Sequence, residues 1–152
     1  MSGSNIVVCP ISTERINENV VRLVALLVIV VAVLGWLTGS WLLFLLLAVD
    51  FGLRAFGSGS YSPLRKAAQW IAKKSSLGVK LTNAAPKKFA AGIGLIFGLS
   101  IALALMLNGA VIATSLSGAL VLCAFLESAL GFCVGCVVYS QLNRFLVLTN
   151  LK

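Results

Sequence analysis

The chain has 152 residues, of which 60% are hydrophobic and 11% charged, with a net charge of +8 and no histidine. A soluble domain is closer to half apolar and a quarter charged, so the surplus apolar surface must face lipid rather than water. The absence of histidine removes the commonest general base and metal ligand, and the segregation of basic residues from long apolar runs points to a membrane rather than a nucleic-acid partner.

Residues 1–19 carry Glu14 and Glu18 and lack a basic segment followed by a cleavable apolar stretch. The first apolar run is therefore expected to remain in the protein as a membrane span. Ser12 or Thr13 is placed to cap a short entry helix, with Glu14 in its first turn, running straight into that span. A span needs roughly 20 mostly apolar residues. Four stretches meet or approach this: 20–37, 41–56, 89–107 and 111–139. The breaks "TGS" at 38–40 and "NGA" at 108–110 are short enough to make antiparallel neighbours of the helices they join. The expected fold is an all-α integral membrane protein, one four-span domain over 1–152, built as two helical hairpins.

Segment 57–88 separates the hairpins and holds seven basic residues and no acidic one. Ser62-Pro63 reads as a helix cap followed by proline in the first turn. Leu64, Ala67, Ala68 and Ile71 then repeat at helical spacing, with Arg65, Lys66, Gln69 and Lys73 opposite and Gly78 as a terminator. The pattern predicts a short amphipathic helix on the membrane surface, with Trp70 at its edge. Arg65, Lys66, Lys73 and Lys74 would meet anionic headgroups there. All twelve lysines and arginines fall outside the two short turns and on one side. The positive-inside rule makes that side cytoplasmic and places both termini there, including the tail 140–152.

Charges inside a span are costly and find partners. Asp50 and Arg54 share a helix face at i,i+4. With Arg22 and Glu127 they occupy similar depths on three helices, which suggests an ion network fixing helix order. The rival reading is a proton or anion path with Glu127 as its titrating group.

Of four cysteines, Cys123 is read as a small packing residue. Cys133 and Cys136, in "GFCVGC", end the fourth span on the cytoplasmic side, and Cys9 approaches on the same side. Such a set could exchange disulfides, carry sulfur or bind a soft metal such as copper(I) or zinc, though without histidine a zinc site needs a further ligand. A continuous fourth helix argues against an activated thiol. It would put the pair at a helix C-terminus, whose negative end disfavours thiolate, and would turn Glu127 to the opposite face. A break at Gly131 or Gly135 would weaken both objections.

The segments "CPISTERINENVVRLVA" at 9–25, "DFGLRAF" at 50–56, "SPL" at 62–64, "PKKFAAGIG" at 86–94 and "LESALGFCVGCVVY" at 126–139 run in this order across nearly the whole chain. Together they resemble a bacterial membrane family catalogued as domain of unknown function 4395. The resemblance implies a bacterial inner-membrane protein and marks Cys9, Asp50, Arg54, Pro86, Glu127, Cys133 and Cys136 as recurring positions. It brings no activity with it.

The leading functional expectation is thiol–disulfide or sulfur-transfer chemistry, or transport of a sulfur compound. Cys133 is the reactive thiol, Cys136 its pair and Cys9 a third sulfur, with a cytoplasmic thiol or sulfur-carrier protein as partner. The alternatives are a non-enzymatic scaffold recruiting a partner through the basic face, and a soft-metal site on Cys9, Cys133 and Cys136. No nucleotide loop, catalytic triad, paired acid–base carboxylates or other cofactor motif is evident.

Overall fold

A computed structural model describes residues 15–57 and 60–150. Six helices and one small ribbon make up these residues: β1 (Arg15–Asn17), α1 (Glu18–Thr38), α2 (Trp41–Phe56), α3 (Pro63–Lys74), β2 (Leu81–Asn83), α4 (Ala85–Met106), α5 (Ala110–Leu130) and α6 (Val134–Asn150). Three of the helices, α1, α4 and α5, are long and apolar enough to cross a membrane. At 16 residues, α2 is about 24 Å long, short of a ~30 Å hydrocarbon layer.

The two hairpin turns fall where the sequence placed them. At the first, Gly39 takes a left-handed φ of 63°, and Ser40 N–H reaches back to the Gly35 carbonyl at 3.0 Å. At the second, Gly109 N–H closes on the Ala104 carbonyl at 2.8 Å. Trp36 Nε1 donates to Thr114 Oγ1 at 3.3 Å, which ties the turn ends of the two hairpins together. Between the hairpins, α2 packs chiefly on α4, and α1 on α5. Their outward faces carry exposed Leu26, Val30, Leu34, Leu42, Leu46, Leu99, Leu103 and Leu122. Aliphatic ridges of this extent are what a lipid-facing surface requires, and far exceed the patches of ordinary soluble monomers.

The expected entry helix does not run into the first span. Residues 15–17 form β1, which pairs antiparallel with β2, Ile16 facing Thr82. Helix α1 begins only at Glu18, capped by Asn17, whose side chain accepts from Asn19 N–H at 3.1 Å. Its proposed caps Ser12 and Thr13 lie outside the described residues. The ribbon joins the start of α1 to the end of the inter-hairpin segment, and Glu18 N–H extends it by bonding to the Lys80 carbonyl at 2.7 Å.

Helix α3 starts as read, with Ser62 accepting from Arg65 N–H at 3.2 Å and Pro63 in the first turn. It ends at Lys74, before Gly78. Its inner face is Ala68 and Ala72, both buried, and it packs on α1, while Ala67 and Trp70 face outward. The apolar face is thus largely occupied by protein.

The expected fourth span, 111–139, is two helices. α5 stops at Leu130, and Gly131 adopts φ 66°. Gly131 N–H bonds to the Glu127 carbonyl at 3.0 Å and Phe132 N–H to the Leu126 carbonyl at 3.2 Å, the paired closure of a left-handed helix end. A side chain at 131 would meet the Arg22 guanidinium and, at 3.0 Å, Glu18 Oε1. Glycine is needed here both for its φ and for this close approach. After the break α6 turns onto α4, where a Cβ on Gly135 would fall 2.5 Å from Ala90 Cβ and the Phe89 and Tyr139 rings lie 5.4 Å apart.

Candidate thiol and ion-pair site

The break changes the setting of the cysteines. Cys133 is the residue immediately before α6. Its carbonyl accepts from Val137 N–H at 3.2 Å, and its Sγ accepts from Cys136 N–H at 3.3 Å. Cys133 therefore caps the N-terminus of α6, and Cys136 occupies the first turn. The continuous-helix reading put the pair at a C-terminus; the structure puts it at the positive end of a helix, where thiolate is favoured. Residues three apart on a helix have Cβ atoms about 5–6 Å apart, which brings a disulfide within a small adjustment of the first turn.

Cys133 is buried and Cys136 half-buried. Ionisation of Cys136 is favoured by a hydrogen bond from the Cys133 thiol and by Lys87, against burial and the charge of Glu127. Cys133 is pushed the other way, first by that shared bond with Cys136, then by burial and Glu127. The Cys136 N–H pulls it down. Of the two sulfurs, Cys136 is thus the one whose ionisation is favoured.

Lost helical continuity also overturns the expectation that Glu127 faces away from the thiols. A cavity of about 230 Å³ is lined by Cys133, Gly135, Glu127, Arg54 and Cys123, with apolar walls from Val28, Phe97 and Leu120. Cys123, read as a packing residue, is exposed and lines this chamber. A second cleft, of about 130 Å³, adjoins it and shares Val21, Phe51, Arg54, Ala90 and Glu127. Its remaining polar lining is Asn17, Arg65, Gln69, Lys87 and Lys88.

Of the four span charges, Arg54 and Glu127 line the same two cavities, and the direct ion pairs are as follows. Only Asp50 and Arg54 pair as expected, Arg54 Nε lying 3.0 Å from Asp50 Oδ2. The contact is an ion pair, and Arg54 Nη2 lacks a hydrogen-bond acceptor among the described residues. The guanidinium stacks over Phe51 at 4.6 Å. Asp50 is buried, and its Oδ1 accepts from Ser62 Oγ at 2.6 Å and from Leu64 N–H at 3.2 Å. It thereby anchors the start of α3 to α2. Arg22 instead bonds Glu18, one turn back, at 3.0 Å, and Lys80 reaches the other Glu18 oxygen at 3.0 Å. Glu127 takes its partner from α4: Lys87 Nζ, at 3.5 Å.

Sequence reasoning passed over Glu18, Lys80, Ser62 and Lys87 as ion-site members. Glu18 had a legible signal in its i,i+4 spacing to Arg22. The other three become partners only through packing between elements. Among the basic residues assigned to the membrane surface, Lys66, Lys73 and Lys74 are exposed, with Lys74 Nζ 5.1 Å from the Trp70 ring, whereas Arg65 turns into the cleft. The third expected sulfur, Cys9, lies outside the described residues. Among the described residues no group of three or more cysteine or carboxylate side chains is arranged to hold a metal.

The fold and site define a helical bundle with span-length apolar helices and a Cys-x-x-Cys helix start beside a charged cavity. Residues 16–144 match the family model described as "Domain of unknown function (DUF4395)", and the chain belongs to that family. No curated protein and no solved structure matches it.

Proposed function

We propose that the protein is a membrane-embedded thiol–disulfide exchange or sulfur-transfer protein whose working groups are Cys136 and Cys133. The observation that carries this reading is the break at Gly131, which sets both cysteines on the N-terminal turn of α6. Helix polarity, Lys87 and the mutual thiol hydrogen bond all favour one thiolate. In our reading Cys136, the more accessible sulfur, attacks a partner disulfide and releases one partner thiolate. Cys133 then loses its proton and attacks the mixed disulfide. That step releases the second partner thiolate and leaves a Cys133–Cys136 disulfide. Run in reverse, the same steps oxidise a dithiol partner. The expected third sulfur, Cys9, and a soft-metal role for the three thiols stand outside this cycle.

Our reading of the membrane arrangement is four spans, with α2 the short fourth member held by α4 and Asp50 and Arg54 near its end. Segregation of the basic residues supports a cytoplasmic position for α3, α6 and both termini, in the inner membrane of a bacterium. In this reading the outward face of α3, with exposed Lys66, Lys73, Lys74 and Trp70, meets anionic headgroups.

A variant with Cys9 and Cys123 changed to serine tests both parts. An impermeant maleimide should label Cys136 in inverted vesicles and not in sealed cells. Mild oxidation should block labelling and dithiothreitol restore it. Labelling only from the outer face would refute the orientation. Labelling indifferent to oxidation would refute the exchange chemistry.

A further inference from the structure

The chamber of about 230 Å³ beside Cys133 has mainly apolar walls, Val28, Ile93, Phe97 and Leu120 among them. The two charges that reach it are already balanced, Arg54 by Asp50 at 3.0 Å and Glu127 by Lys87 at 3.5 Å. An ion entering would lose hydration and gain no free counter-charge, so the chamber suits a neutral ligand. One polar demand is left: Arg54 Nη2 is shielded from solvent and has no acceptor among the described residues. A neutral carbonyl oxygen would satisfy it without disturbing the pair with Asp50. An apolar cavity of about 150 Å³ takes up benzene, so this larger one has room for a substituted six-membered ring. The exposed residues of its wall are Cys123, on α5, and Val138, on α6. Cys123 lies about 10 Å along the axis from the end of α5 at Leu130. On the four-span reading the mouth therefore opens sideways into the hydrocarbon layer, from which a lipid-dissolved ligand would come. Of the two sulfurs, Cys133 stands in the wall and Cys136 does not.

We propose that this chamber binds a quinone dissolved in the membrane, and that the quinone withdraws two electrons from the Cys133–Cys136 dithiol. The ring enters past Val138 and Cys123 and lies among the apolar walls, with one carbonyl oxygen accepting from Arg54 Nη2. This deepens the thiol reading above and rests on it, since it supplies the oxidant that lets the pair oxidise a dithiol partner again. Cys133 passes its proton to the Cys136 thiolate along their shared hydrogen bond, and its sulfur adds to a ring carbon. The displaced electron pair settles on the ring oxygen beside Arg54, which takes up the proton from Cys136. Cys136 then attacks Cys133 Sγ: the S–S bond forms, the S–C bond breaks, and its electron pair passes into the ring. A second proton, from water, completes the quinol. One dithiol and one quinone have become one disulfide and one quinol.

The test is anaerobic oxidation of the reduced Cys9→Ser/Cys123→Ser chain in phosphatidylcholine nanodiscs, with decyl-ubiquinone as probe and hydroxyethyl disulfide as a water-soluble comparison. One quinol per chain is expected, with loss of both thiols and a rate that saturates in quinone. Val138→Trp, at an exposed position of the mouth, should lower the ratio of the quinone rate to the disulfide rate about tenfold. Arg54→Lys, which keeps a cation beside Asp50 and loses the planar fork, should lower that ratio too. Oxidation by hydroxyethyl disulfide but not by decyl-ubiquinone overturns the proposal and leaves the exchange chemistry intact. Oxidation by neither overturns both. A quinone rate that never saturates, with a ratio indifferent to both variants, marks reaction outside the chamber and overturns the proposal as well. Binding is read without the pair in Cys9→Ser/Cys133→Ser/Cys136→Ser, where decyl-ubiquinone should slow alkylation of Cys123 by N-ethylmaleimide, saturably and reversibly. Absence of this protection refutes the chamber as the site. Equal protection by dodecylbenzene would show a cavity that takes any apolar molecule, and would overturn the assignment to a quinone.

Discussion

Gly131→Ala probes the residue on which the thiol site depends. At φ 66° an L-residue with a Cβ costs about 1–2 kcal/mol relative to glycine. The added methyl would also overlap the Arg22 guanidinium, which must swing away and break its 3.0 Å bridge to Glu18. Arg22 is 36% exposed, so loss of that i,i+4 pair adds only about 0.3–0.5 kcal/mol. The backbone term therefore dominates, and a total near 2 kcal/mol is expected from equilibrium unfolding in mixed micelles. A double variant separates the two terms. In an Arg22→Gln background most of the cost of Gly131→Ala should persist, because the left-handed backbone remains. The alkylation rate of Cys136 should fall with stability, since strain at 131 is relieved by extending α5 and unmaking the first turn of α6. Wild-type stability and alkylation in Gly131→Ala would refute the break as the organiser of the site. A cost that disappears in the Arg22→Gln background would refute the assignment to backbone conformation.

The remaining predictions concern the charges. Asp50→Asn leaves Arg54 without its buried counter-charge and weakens the Asp50 anchor of α3; a loss of about 3–5 kcal/mol should appear in the same unfolding assay. Ser62→Ala removes both the α3 cap and one bond to Asp50, and should cost less, about 1–3 kcal/mol. Because Glu127 opposes ionisation of both thiols and Lys87 favours that of Cys136, their neutral variants should move the alkylation profile in opposite directions. Glu127→Gln should shift the half-maximal rate to lower pH, and Lys87→Gln to higher pH. Shifts of the same sign would show that these charges do not act on the thiols directly.

Much of the scaffold was legible from residue order alone. Uninterrupted aliphatic runs require lipid or a core whatever they pack against, so α1, α4 and α5 could be read directly. Gly39, the Asn108-Gly109 pair and Ser62-Pro63 announce their local conformations because φ preference and capping act within a few residues. Spacing paired Asp50 with Arg54 for the same reason. The three-residue β1 and β2 gave no such signal, since each is too short to show a period and exists only by pairing with the other.

The site itself was decided by tertiary structure. "GFCVGC" offers two glycines, and local preference does not choose between them. Gly131 becomes the break because a left-handed helix end there leaves room for Arg22 and Glu18 of α1, whereas Gly135 is consumed by close packing against Ala90 of α4. That choice turns a helix end of unfavourable polarity into a helix start that favours thiolate, and it brings Cys133 round to the cavity that Glu127 lines. Lys87 meets Glu127 across 40 residues of chain, and Arg65 turns inward to the cleft. The sequence by itself determined which segments are apolar, where they turn and on which side the basic charge gathers, because these follow from local chemistry. Which charges pair, where the fourth apolar run bends and what surrounds the two sulfurs depend on contacts between distant segments, and only the packed bundle supplies them.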